Sequence, residues 1–306
     1  DSGTTTASDA PTETTSEGTS TTRPEPTPTP TVEVVAAGDT ETTCPTEGDE
    51  WEVAKLYIEH NATDEDTGVH GLFGGEAWSE LCIWDPDGTL IFVFDPRNEL
   101  DDLTVADVFF ESREPENAEV AVAELRTRFP EGEYLVGGTD FEGTPRVAAA
   151  SFTHSIAAEP EIISPSLFED PEEADAFEPV DGLRIAWEPV SETIDGEPVS
   201  ISAYEIIVTK EEHEDPDANS RPVYDVHVGP DFSSLSVPPE FYEPDTIYEL
   251  EVIAIEASGN QTIGLGFFRT GRDADCPPAQ RRKCGMTWVP MLRRVSTWAH
   301  WGTVPI

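Results

Sequence analysis

The stretch Tyr242-Glu-Pro-Asp-Thr-Ile-Tyr248-Glu-Leu-Glu-Val-Ile-Ala254 decides the fold of this chain when it is read with Leu183-Arg-Ile-Ala-Trp187-Glu-Pro189. Between them lies Ile201-Ser-Ala-Tyr204-Glu-Ile-Ile-Val208. All three are short runs rich in β-branched, aromatic and aliphatic residues, with turn signals between them, as expected of half-buried strands. Their regular spacing predicts a β-sandwich over 158–271.

These residues resemble a fibronectin type III domain, and the likeness covers nearly the whole segment. The resemblance implies that Leu183–Pro189 is the B strand, with Trp187 in the core, and that Ile201–Val208, which contains Tyr204, is strand C. It also implies that Tyr248 is the tyrosine-corner residue, whose hydroxyl bonds back to upstream backbone. Tyr242 departs from the family, filling a slot usually held by Leu. The segment has no Arg-Gly-Asp, so integrin-type adhesion is not implied.

Upstream, 49–157 reads as a second β-rich, sandwich-like domain. From Val53 the chain alternates, with Val53, Lys55, Tyr57 and Glu59 on one face and Ala54, Leu56 and Ile58 on the other. Leu81-Cys-Ile-Trp84 and Leu90-Ile-Phe-Val-Phe94 flank Asp85-Pro-Asp-Gly88, a strong turn signal, and predict a hairpin. Val120, Ala121, Leu125 and Phe129 recur at helical spacing, so one short helix is expected over 117–129. Tyr134-Leu-Val-Gly137 and Val147–Thr153 are expected to close the domain as a strand pair. Residues 157–168 read as a short linker. The stretches 61–70, 109–115 and 129–134 resemble uncharacterised bacterial proteins that carry a C-terminal fibronectin type III domain. That resemblance implies the architecture and no activity.

The ends differ from the middle. Residues 1–48 form a Thr/Ser/Pro-rich stalk: the first 31 residues hold 12 Thr, and 23–30 alternate Pro with polar residues. Such a segment has too little apolar surface to offset its ordering entropy and is expected to be disordered. A stalk of this kind suits a secreted protein, or a surface protein with a lipid anchor upstream of Asp1. Residues 272–306 form a basic tail. From 276 onward it has five Lys or Arg, no acid and three of the seven Trp. It reads either as a tail docked on the acidic body or, preferably, as a shifted reading frame.

Charge excludes some partners. Of 306 residues 63 are acidic and 17 basic, giving a net charge of −46. Such a field repels nucleic acid and anionic membrane surfaces. No run approaches the ~18 apolar residues of a membrane span. Only three Lys occur, Lys55, Lys210 and Lys283, a scarcity that fits a salt-adapted source, the other reading being an acidic protein with codon-biased Arg.

Chemical motifs are sparse. The six His show no H-E-x-x-H spacing, and no G-x-S-x-G or P-loop sequence occurs. Asn61, Asp64, Glu65 and Asp66 offer hard oxygens in one loop, a weak calcium candidate that lacks EF-hand order. The other reading is a solvated acidic turn. His60 and His70 flank that loop and could join Asp66 around a transition metal. The acidic run 211–217 reads as hydrated surface. Cys44 and Cys82 read either as a disulfide tying the stalk base to the sandwich, in an oxidising compartment, or as two unrelated thiols.

The leading functional reading is a non-enzymatic, exported protein at the cell surface, outside the cell or in the periplasm, serving binding, adhesion or spacing. Its partner would be a protein or carbohydrate. The alternatives are a secreted hydrolase whose first domain is catalytic and whose fibronectin type III domain is accessory, and a calcium-stiffened surface rod. The charge alone makes a prediction. The melting temperature should climb steeply as NaCl rises from 0.01 M, where the screening length is ~30 Å, and level off near 1 M, where it is ~3 Å. An unchanged melting temperature would reject the salt-adapted reading. A calcium site in the loop at 61–68 would make millimolar CaCl₂ stabilise far beyond an equal concentration of MgCl₂, and equal responses would reject it.

Overall fold

A computed structural model describes residues 44–174, 177–178, 183–211 and 223–271. The stalk up to residue 43, most of the acidic run 211–217 and the tail from 272, with Cys276 and Cys284, lie outside the described residues.

The first sandwich contains β1 (Asp49–Glu50), β2 (Val53–Asn61), β3 (Asp66–Trp84), β4 (Leu90–Phe94), α1 (Glu99–Leu103), β5 (Val105–Glu111), α2 (Val122–Arg128), β6 (Gly132–Asp140) and β7 (Pro145–Phe152). Its organiser is β3, which is 19 residues long. The first half of β3 pairs with β2 and β5, and its second half with β6 and β4. The register shifts between Gly74 and Trp78, where Gly75 takes φ +144°, a conformation that L side chains rarely adopt. One strand thereby serves two layers, which close over Leu56, Ile58, Phe73, Trp78, Leu81, Ile83, Tyr134 and Phe152. Gly71, Gly74 and Gly75 interrupt the alternation, so periodicity alone does not connect Asp66 to Trp84. The expected hairpin and closing strand pair are present as β3–β4 and β6–β7.

The helix count differs from expectation. Among the described residues the first sandwich has two helices where one was expected, and α2 is shorter than 117–129. α1 buries no residue, so it leaves no apolar period to read. Cys44 and Cys82 are joined as a disulfide, packed with Trp84, Leu135 and Val147.

The second sandwich contains β8 (Ile162–Ser164), β9 (Phe177–Glu178), β10 (Arg184–Trp187), β11 (Ile201–Lys210), β12 (Val223–Val228), β13 (Ser234–Ser236), β14 (Ile247–Glu256) and β15 (Gln261–Thr270). One sheet runs β13–β10–β8, and the other runs β15–β14–β11–β12 with β9 added at β15. This is a fibronectin type III-like arrangement of three strands against four. Trp187 is 1% exposed and lies 5.3 Å, centroid to centroid, from the ring of Tyr204. The Tyr204 hydroxyl accepts a hydrogen bond from the Val190 amide at 2.8 Å. The Tyr248 hydroxyl accepts one from the Glu243 amide at 2.7 Å, closing a tyrosine corner five residues upstream. Tyr242 is buried against Tyr248 and Phe268.

The two sandwiches are not strung on a free linker. β15 pairs in parallel with the end of β2, aligning Gln261 with Glu59, Thr262 with His60 and Ile263 with Asn61. The buried Asn260 completes the seam. Its Oδ1 accepts from the Ile58 amide at 2.8 Å, and its Nδ2 donates to the carbonyls of Thr153 and Ser155, both at 3.0 Å. Thr262 Oγ1 donates to the Ala157 carbonyl, and both Ile156 and Ala157 are fully buried. The sheets of both sandwiches thus form one hydrogen-bonded surface.

Trp187→Ala should lower stability by about 3–5 kcal/mol, the usual cost of removing a buried aromatic. Urea denaturation followed by far-UV circular dichroism measures it, and a loss near zero would contradict the packing described.

Candidate functional site

Alternation along the strands sends one set of side chains into the cores and the other outward. On the outward face of the merged sheet stand Tyr57 and Glu59 of β2, His70 of β3, Glu205 of β11, Asp225 and His227 of β12, and Glu249 and Glu251 of β14. Register brings them together: His70 lies opposite Tyr57, Glu205 opposite His227, and Glu59 beside Gln261 across the seam. Without the β2–β15 pairing, Glu59 would not share a face with Glu205 and Glu251.

Two constellations occupy this face. In the first, His70 is 3% exposed. Its ring meets Tyr57 and Phe109 edge-on at centroid distances of 5.4 and 5.6 Å. Nε2 lies 3.0 Å from Glu114 Oε1, and Nδ1 lies 3.6 Å from Glu59 Oε2. Burial by itself would lower the imidazole pKa. The hydrogen bond to Glu114 and the charges of Glu59, Glu114 and Glu111 outweigh it and raise the pKa. In the second, His227 Nε2 lies 3.3 Å from Glu205 Oε1. Burial, then the charge and hydrogen bond of Asp225, and then the charge of Glu59 push Glu205 up to about 8. Burial and the carboxylates of Glu249, Glu59 and Glu205 also raise Glu251. Within each trio, Glu59–His70–Glu114 and Glu205–Asp225–His227, the potential metal-ligating atoms lie within 4.8 Å of one another.

The loop picked out in the sequence is arranged differently. Asn61 Oδ1 accepts from the amides of Thr63 and Asp64, and Asn61 Nδ2 donates to Asp64 Oδ2, so these groups bond within the turn. Asp64 and Glu65 are exposed, Glu65 takes φ +56°, and Asp66 pairs with Asn61 at the start of β3. His60 and His70 fall on opposite faces of the sheet, so they do not converge on Asp66. His60 faces inward, 2.9 Å from Thr67 Oγ1, and burial lowers its pKa. Glu59, Glu114, Glu205 and Asp225 carry no sequence signal beyond acidity, and His227 none beyond its residue type, because only strand register makes them neighbours. Elsewhere, a hollow of about 480 Å³ is lined by Glu159, Pro160, Glu161, Ile162, Leu167 and Leu265. Among the described residues no helix is long and apolar enough to cross a membrane.

No protein family and no curated protein matches the chain. Among solved structures, the FN1–FN3 domains of chicken CNTN1 are 12% identical, with 74% of this chain and 67% of that one covered and a TM-score of 0.31. A bacterial ice-binding adhesin of 1.5 MDa is 13% identical, covering 72% and 64%, with a TM-score of 0.24. A tetra-tandem repeat from the extending region of a large adhesion protein is 12% identical, covering 71% and 49%, with a TM-score of 0.24. The chain therefore spans less than two thirds of either adhesion-protein structure.

The raised carboxyl groups predict a pH dependence. A carboxyl whose pKa is higher in the folded chain keeps its proton there while the unfolded chain releases it. The stability it contributes is complete below its ordinary value near 4.5 and is lost as pH rises through about 8. His70, also raised, acts in the same direction. At fixed ionic strength the melting temperature should fall between pH 5 and pH 8. Glu205→Gln should flatten that fall and stabilise the chain at pH 8 with little effect at pH 5. An unaltered slope in the variant would show that Glu205 ionises normally.

Proposed function

We propose that this chain is a non-enzymatic, exported surface protein whose two sandwiches act as one stiff body, presenting a binding face at a fixed distance from the cell. The observation that carries the reading is the seam. Parallel strand pairing and the side-chain amide of the buried Asn260, bonded to backbone groups of the first sandwich and the stretch after it, join the sandwiches. A protein that spaces or displays a surface needs such stiffness between domains. The seam supplies it from the chain itself. Export is supported by the Thr/Pro-rich composition of 1–48 and by the disulfide between Cys44 and Cys82, a bond typical of oxidising compartments. The partner in this reading is a protein or carbohydrate, and the resemblance to bacterial proteins with a C-terminal fibronectin type III domain agrees with display outside the cytoplasm.

Calorimetry on the full chain tests the stiff-body reading. Both sandwiches should unfold in a single transition whose calorimetric and van't Hoff enthalpies agree. Asn260→Ala leaves the Ile58 amide without its acceptor and should cost about 1–3 kcal/mol, separating the transition into two. Two independent transitions in the unaltered protein would reject the reading.

A further inference from the structure

We infer that His70 and Glu59 form the centre of a transition-metal site on the outward face, with Glu114 holding the imidazole in the ligating tautomer. The geometry divides the two ring nitrogens. Nε2 lies 3.0 Å from Glu114 Oε1, a hydrogen bond that places the ring proton on Nε2. The Nδ1 lone pair then faces Glu59 Oε2 at 3.6 Å, too far for a hydrogen bond. That distance suits two ligands of one ion. Bonds of about 2.0–2.2 Å in a tetrahedral site put neighbouring ligand atoms roughly 3.3–3.6 Å apart. A carboxylate that accepts the other ring N–H is the usual outer partner of a metal-bound imidazole.

The surroundings favour a cation. The ring is 3% exposed and fixed between Tyr57 and Phe109, so little ordering remains for binding to impose. The charges of Glu59, Glu114 and Glu111 act on His70, and the charge of Glu59 is also felt by Glu205 and Glu251 of the second sandwich. These carboxyl groups sit in one another's field and would gain from a shared positive charge. One imidazole with carboxylate oxygens matches Zn²⁺ and its divalent first-row neighbours better than calcium, which prefers oxygen alone. A protonated imidazole clamped between Glu59 and Glu114 is the competing state, and proton and metal exclude each other at Nδ1.

The test is calorimetric titration of chelator-treated full-length protein with Zn²⁺ at pH 7.5, in 0.5 M NaCl to suppress loose binding to surface carboxylates. One saturable site is expected. His70→Phe should weaken it at least about 100-fold and Glu114→Gln about 10–100-fold, while His227→Phe should leave it within about twofold. Circular dichroism melts check that each variant folds. If His70→Phe does not fold, nitrogen-15 shifts of the His70 ring in the unaltered protein decide, because Zn²⁺ should move the Nδ1 resonance. Cu²⁺ bound in place of Zn²⁺ should show one-nitrogen hyperfine coupling by electron paramagnetic resonance. Undetectable Zn²⁺ binding would overturn the inference in favour of the clamped imidazolium. So would undiminished binding in folded His70→Phe, or a His70 ring unmoved at saturation.

Discussion

Asn260 is the constraint on which the joint architecture depends. It sits in the turn between the last two strands of the second sandwich, yet its amide is spent on the first. A primary amide offers an acceptor and two donor hydrogens on a rigid plane. Here the acceptor serves the Ile58 amide and the donors serve the carbonyls of Thr153 and Ser155, groups that burial would otherwise leave unsatisfied. Once that turn is docked, the backbone of Gln261–Ile263 lies along Glu59–Asn61 and the parallel pairing follows. The stretch after β7 is drawn in by the same contacts, which is why Ile156 and Ala157 are fully buried.

The seam has an electrostatic cost. It brings Glu59 of one sandwich into the field of Glu205 and Glu251 of the other, in a chain already carrying −46. Packing sets this arrangement, since the core-facing residues on the same strands fix which side chains must point outward. The chain meets the cost in three ways: imidazoles sit among the acids at His70 and His227, carboxyl groups retain protons above their usual range, and dissolved salt screens what remains.

Much of the second sandwich was legible in the sequence because its signals are local. Trp187, Tyr204 and Tyr248 lie on strands with clear alternation, and the tyrosine corner spans only five residues. The β3–β4 hairpin is announced by Asp85-Pro-Asp-Gly88. The course of β3 was not legible, because three glycines erase its period at the point where the strand changes layer. The α1 turn left no trace because it packs nothing. The outward face was the least legible. Its residues come from β2, β3, β11, β12 and β14, and abundant acids make any single Glu uninformative. The loop at 61–66 drew notice because its oxygens are close in sequence, whereas the close groups in space are those that register aligns.

The seam also bears on how the chain is made. The hydrogen bond between Ile58 and Asn260 joins residues 202 apart in sequence. Contacts of such separation raise the entropy of loop closure and slow folding. At ~5–20 residues per second of synthesis, β2 would wait roughly 10–40 s for β15. Throughout that interval the end of β2 is an open strand edge, the kind of surface that recruits other chains. The acidic side chains borne by the same sheet repel such neighbours. The charge that strains the finished molecule therefore guards the unfinished one.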